Sequence, residues 1–176
     1  MPQAGGARQA LRNATMASHD RVDDLFTHFS LADRASYIRF LKAHARALAP
    51  LEAIARPAAP RLPLLAEDLA ALGESLPAPV DVPDEAGEGF RWGALYALEG
   101  SRLGGAMLAR RVAADLPRAY LSAVHEKGGW VAFQQQLDVQ AEQGGKSWID
   151  GAVQGAQAAF ALFAAAAQAE TASVHG

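Results

Sequence analysis

A chain of 176 residues has room for one hydrophobic core and little more, and with 51% hydrophobic against 20% charged residues it is too apolar for disorder. Sixteen Lys and Arg against nineteen Asp and Glu leave a net charge of -3, which removes any general electrostatic case for nucleic acid or an anionic membrane. The absence of Cys excludes disulfide frameworks, thiolate metal sites, iron-sulfur clusters and cysteine nucleophiles, so a metal would have only His and carboxylates to hold it.

The opening MPQAGGARQALRNAT lacks the apolar core of a secretory signal. The longest apolar run, Ala158 to Ala167, falls short of the ~20 residues that cross a bilayer, and a cytoplasmic protein is expected. Residues 1–6 and 171–176 are expected to be disordered termini of a single domain spanning 1–176. Ala, Leu, Arg, Gln and Glu dominate while runs of β-branched and aromatic residues are scarce, which predicts an all-α fold.

In chain order, Leu11, Ala14, Thr15, Val22, Leu25, Phe26 and Phe29 recur at helical spacing, predicting a helix from Ala7 to Phe29. Asp33 in LADRASY is a predicted N-cap for a second helix. That helix runs to about Ala55, where Pro57 and Pro60 stop it, and it buries Tyr37, Phe40, Leu41, Leu48 and Leu51. Arg61 to Leu72 predicts a shorter helix ended by Gly73, and Pro77 to Asp84 a flexible surface loop. Glu88 to Asp115 carries Leu95, Tyr96, Leu98, Leu103, Met107 and Leu108 but is interrupted by Gly93, Gly100, Gly104 and Gly105, which predicts a buried, bent helix. Three more helices are expected over Pro117–Val124, Trp130–Gln143 and Trp148–Glu170.

Several motifs fail on spacing. GEGFRWG, Gly87 to Gly93, is one residue too long for a dinucleotide fingerprint and follows no strand. Gly100-Ser101 is not a nucleophile elbow, because Glu99 and Leu103 stand where glycines are needed. The His residues at 19, 28, 44, 125 and 175 never pair at i, i+3 or i, i+4, which argues against a metal site made by protein ligands alone.

One helix face is more informative. Asp23 follows His19 by one turn, and Arg12 and Arg8 precede it by two and three turns, so carboxylate, imidazole and two guanidinium groups share a stripe. A carboxylate on one ring nitrogen fixes the tautomer and makes the other nitrogen a better metal donor. Two cations roughly 10 to 16 Å along the helix suit the carboxylates of a large flat ligand. The commoner reading of this spacing is a surface His in an i, i+4 charge pair. Gly100, Gly104 and Gly105 lie close together in a helix whose interior each Gly weakens by about 1 kcal/mol relative to Ala. They read equally as a helix-packing seam or as bare backbone against a flat cofactor.

Leu11–Phe26, LRNATMASHDRVDDLF, and Ala94–Val112, ALYALEGSRLGGAMLARRV, together resemble the biliverdin-producing haem oxygenases of bacteria, especially the subgroup found with bacteriophytochromes. Order, spacing and the AFALF around Phe160 agree from about Ala10 to Ala169. The resemblance implies a single-domain, all-α, haem-oxygenase-like helical bundle. It implies His19 as the neutral iron ligand, Asp23 as its hydrogen-bonding partner, and Gly100, Ser101, Gly104 and Gly105 as the distal wall. Arg12 would pair with a propionate, and Met16, Tyr96 and Phe160 would line the pocket. Haem would be substrate and cofactor, opened to biliverdin, carbon monoxide and ferrous iron with oxygen and electrons from an external ferredoxin or reductase. A bacteriophytochrome would receive the biliverdin, with no nucleic acid and no membrane as partner.

Two departures accompany it: Ser101 stands where animal-type enzymes have Asp, and their basic residues on a later helix have no counterpart in QQQLDVQ, Gln134 to Gln140. The rival readings are a haem carrier on the same fold and a helical interaction module that binds no haem. Hemin binding separates the last from the others, and turnover separates the first two.

Overall fold

The computed structural model describes residues 6–81 and 87–172. Its helices are α1 (Gly6–Phe26), α2 (Arg34–Ala55), α3 (Leu62–Ala71), α4 (Gly87–Ser101), α5 (Gly105–Ala109) and α6 (Gly129–Ala172), with a 3-10 turn at Arg102–Gly104 between α4 and α5. No strand occurs among the described residues. The all-α expectation is thus borne out. Helix α6 is the common partner, packing against α1, α2 and α4.

Helix starts are set by local chemistry. The Asp33 carboxylate accepts the Ser36 N–H at 2.9 Å and caps α2 as predicted. Helix α3 has no such residue of its own. Instead Glu52 of α2 accepts the backbone N–H of Arg61 at 2.6 Å and of Leu62 at 3.1 Å, filling the same role from a neighbouring helix. Within α2, Pro50 has no N–H to give the Arg46 carbonyl, and that carbonyl accepts the Val80 N–H at 3.1 Å instead.

The differences from the sequence expectations have identifiable causes. Helix α1 stops at Phe26 rather than Phe29, as the chain turns with Phe29 N–H bonded to the Phe26 carbonyl. The expected 88–115 helix is broken by the 3-10 turn and ends at Ala109. Residues 117–124 form turns and irregular backbone, not a helix, and distant side chains bond their backbone groups. Asp68 accepts the N–H of Ala119 at 3.0 Å and of Tyr120 at 2.9 Å, while the Tyr37 hydroxyl donates to the Pro117 carbonyl at 2.6 Å. The last two expected helices are both present within Gly129–Ala172 and meet at a kink at Gly145, whose φ of 72° and ψ of -160° suit glycine alone. Gly6, Thr171 and Ala172, expected in disordered termini, are helical. Residues 1–5 and 173–176, and 82–84 of the expected flexible loop, lie outside the described residues.

The tightest packing is the crossing of α4 and α6. A Cβ at Gly89 would strike the Trp148 carbonyl, one at Gly93 the Ala152 carbonyl, and one at Gly155 the Phe90 carbonyl. The two backbones touch there with no side chain between them.

The core elsewhere is apolar and aromatic, with Phe26, Phe40, Phe163 and Tyr120 surrounding His44. Its Nδ1 lies 2.6 Å from the Tyr120 hydroxyl. Burial, with the Arg61 charge second, lowers the His44 pKa from its usual 6.5 to about 3. An unfolded His44 binds a proton below 6.5 and the folded one does not until about 3, so stability must fall on acidification through that window. The slope from this group reaches about 1.4 kcal/mol per pH unit. Urea melts at a series of pH values should show it, and His44→Gln should flatten it; an unchanged slope in the variant would place the acid sensitivity elsewhere.

Candidate active site

Helix α1 has two stripes. Ala7, Leu11 and Thr15 are buried, while Arg12, Met16, His19 and Asp23, at i, i+4, i+7 and i+11, stay exposed. The His19 side chain is 59% exposed, its Nδ1 is 3.3 Å from Asp23 Oδ2 and 3.9 Å from Asp20 Oδ1, and its ring lies edge-on to Phe160 of α6 at 5.8 Å. Its Nε2 has no hydrogen-bond partner among the described residues. One ring nitrogen is thus engaged by a carboxylate and the other is left without a partner among the described residues.

The other cation of this stripe is Arg12. It lines a cavity of about 300 Å³ with Arg8, Gln9, Tyr96 and Gln134. The Tyr96 hydroxyl is made less acidic by burial, an effect the Arg12 charge opposes, so the site offers a guanidinium and a phenol that stays protonated. Arg8, grouped with Arg12 by spacing, is committed elsewhere. Its Nη2 and Nε bond both Asp138 carboxylate oxygens at 2.6 and 3.2 Å, pinning α1 to α6, so of the two expected cations Arg8 reaches the cavity already paired with a carboxylate.

The glycines of the distal segment separate by environment. Gly100 packs beneath the Trp130 indole, with 3.7 Å from a Cβ position to Cη2, and nothing lies within 4 Å of a Cβ at Gly104. Gly105 faces the other way: a Cβ there would lie 2.5 Å from the Leu121 carbonyl. The grouping of all three on one wall is therefore corrected, and Gly105 lacks a side chain because the 116–124 segment packs against it. Leu103 and Met107, expected in a buried helix, are more than half exposed, as is Met16. Met16, Leu103, Met107 and the bare face of Gly104 supply apolar surface that the protein itself leaves uncovered.

The Ser101 hydroxyl donates to the Leu98 carbonyl at 2.7 Å and accepts from Arg61 Nη2 at 2.5 Å. Arg61 also bonds the Leu98 carbonyl at 3.1 Å and lies over the Tyr120 ring. Sequence reading missed Arg61, because nothing in Pro60-Arg61-Leu62-Pro63 points to a helix some 40 residues away. It missed Trp130 for the same reason, whereas the i, i+4 pair Leu103 and Met107 was visible and was assigned to the core.

The donor set suits a flat iron macrocycle. Among the described residues no three His, Cys, Asp or Glu gather to hold a metal ion, so an iron held here would have to bring most of its ligands with it. Exposed Met16, Leu103 and Met107 match the apolar faces of such a ligand, and Arg12 with Tyr96 matches a carboxylate at its edge.

No family model matches the chain. A haem oxygenase from Xanthomonas campestris pv. campestris (strain 8004) is 40% identical over an alignment of 110 positions that covers 58% of this chain and 64% of that relative. The match thus spans just under two thirds of the relative's length. Among solved structures, the haem oxygenase from Neisseria meningitidis, determined with NO and with CO bound, superposes with a TM-score of 0.80 at 27% identity over 94% of this chain and 92% of that one. Among the described residues no helix is long and apolar enough to cross a membrane.

Proposed function

We infer that this chain, a homologue of the haem oxygenases with their all-α fold, binds haem between α1 and the segment from Gly100 to Met107. There it opens the ring to biliverdin, carbon monoxide and ferrous iron. The observation that carries the reading is His19, an exposed imidazole with a carboxylate at Nδ1 and an Nε2 without a partner among the described residues. The reading makes Asp23 the group that holds the Nδ1 proton and aims Nε2 at the iron. Arg12 and Tyr96 hold a propionate through one charged and one neutral donor. Gly104 leaves room for close approach, and Met16, Leu103, Met107 and Phe160 exclude water from the haem faces.

Haem supplies the oxygen-activating chemistry when bound, and the protein contributes orientation and proton handling. Ser101 Oγ donates one hydrogen bond and accepts one, so a single lone pair remains to receive a water's proton donation. Ser101 can hold that water in place, but it can release its own proton only by letting go of the Leu98 carbonyl. Electrons come in this proposal from a separate ferredoxin or reductase in the cytoplasm, and a bacteriophytochrome takes the biliverdin, as in the subgroup the motifs resemble.

Hemin titration tests the reading. One equivalent should give a sharp Soret band, and ascorbate under air should replace it with the biliverdin spectrum. Binding without conversion would leave a haem carrier, and no binding would leave an interaction module. Arg12→Ala should weaken hemin binding by about 1 kcal/mol, the worth of a half-exposed charged contact, measured by the same titration. Equal affinity would remove Arg12 from the propionate.

A further inference from the structure

The bend between α4 and α5 is not made by glycine backbone. Gly104 has φ -85° and ψ -9° and Gly105 has φ -58° and ψ -46°, values open to any L residue. Something else must hold a 3-10 turn where α4 would continue, and the candidates are side chains that reach the turn from its buried side.

Arg102 is the one residue of the turn that points inward. Its side chain is 9% exposed, whereas Leu103 and Gly104, the other two residues of the turn, are exposed. Its guanidinium donates to the Ala59 carbonyl, in the link between α2 and α3, and to the Ala123 carbonyl at 3.4 Å. It pairs with Glu99 at 3.1 Å. The same Glu99 oxygen lies 2.7 Å from His125 Nε2, and among the described residues His125 Nδ1 is buried without a partner, so among them Glu99 is the one polar tie of that ring. Arg102 thus joins the turn to the loops before α3 and before α6, with Glu99 bracing it. Its charge is buried against an opposite charge and two carbonyl dipoles, and the loss of any of them leaves buried groups unpaired.

We propose that Arg102 is a positioning residue that, braced by Glu99, fixes how closely the backbone of Gly104 approaches the haem. This rests on the haem-binding reading above. It assigns the height of the distal turn to a buried guanidinium anchored in two loops, with the glycines supplying only the absence of a side chain. Lysine at this position can reach Glu99 but lacks the fork needed to serve both carbonyls.

Two measurements on wild type, Arg102→Met, Arg102→Lys and Glu99→Gln test it. In haem-free protein, amide hydrogen exchange at residues 103–109 should quicken about tenfold or more in Arg102→Met, as expected when charge-assisted hydrogen bonds holding one turn are removed. Arg102→Lys and Glu99→Gln should fall between that variant and wild type, and α2 should exchange as before. In the ferrous haem–CO complex the C–O stretch should shift in the same order, while the proximal iron–His stretch of the CO-free ferrous form stays fixed, a pattern that general loosening of the fold would not give. Wild-type exchange at 103–109 in Arg102→Met, or an unmoved C–O stretch, overturns the proposal. Should Arg102→Met fail to fold, the other two variants decide by the same criteria. Failure of wild type to bind hemin would overturn the haem-binding reading, whereas the haem-free exchange reports separately on whether Arg102 holds the turn.

Discussion

Replacing His19 with Ala should abolish turnover and the spectroscopic signature of imidazole ligation while leaving the fold intact. The side chain is mostly exposed and its contacts are Asp23, Asp20 and one edge of Phe160, so stability should change by no more than about 0.5 kcal/mol. Hemin should still enter the slot weakly through its apolar faces and Arg12. Added imidazole should restore a low-spin or His-like Soret band in the variant, because the space left by the ring is open to solvent. Asp23→Asn should keep the ligand and shift only the iron–His stretch, through loss of the carboxylate on Nδ1. A His19→Ala protein with the wild-type spectrum and biliverdin yield would move the ligand to another residue.

The second large effect separates glycines that look alike in sequence. Gly93→Ala puts a methyl group into the Ala152 carbonyl, and since that neighbour is backbone at a helix crossing, the helices must part. A loss of about 3 kcal/mol is expected, or about 10 °C in Tm for a chain of this size. Gly104→Ala meets nothing and should be neutral or stabilising by up to about 1 kcal/mol. Gly104→Leu should likewise fold normally, yet hemin affinity should fall because the added side chain projects into the proposed slot. Thermal melts beside hemin titrations check both. A Gly104→Leu variant that binds and converts haem as wild type does would show that this glycine faces no ligand.

Local signals were legible in the sequence wherever one residue decides an outcome alone. Asp33 capping α2 and the glycine that ends α3 are of this kind, as is the i, i+4 spacing of His19 and Asp23. The failures all involve partners far along the chain. Pro117–Val124 has helical composition, but it forms turns whose backbone is bonded by Asp68 and Tyr37 across 51, 52 and 80 residues. Arg8 shares a stripe with Arg12, but Asp138 takes it from 130 residues away. Gly105 was grouped with Gly100 and Gly104 because spacing reports direction around a helix axis, and the 3-10 turn at Arg102–Gly104 changes that direction just before it. The glycines marked where the bend falls, but their backbone angles are ordinary and do not make it. The side chains that accompany it, Arg61 and Arg102, carried no signal, since both would pass as ordinary surface arginines.

The link between α2 and α3 has one more consequence. Surface connections usually tolerate insertions and deletions, but this one is fastened at both ends. Glu52 holds the backbone of Arg61 and Leu62, the Arg61 side chain grips Leu98 and Ser101, and the Ala59 carbonyl receives Arg102. Adding or removing a single residue between 56 and 60 would slide the Ala59 carbonyl and the Arg61 guanidinium out of register together. Five residues that pass for a spacer therefore have a fixed length, and chains that share this set of anchors should share that length even where the residues within the link differ.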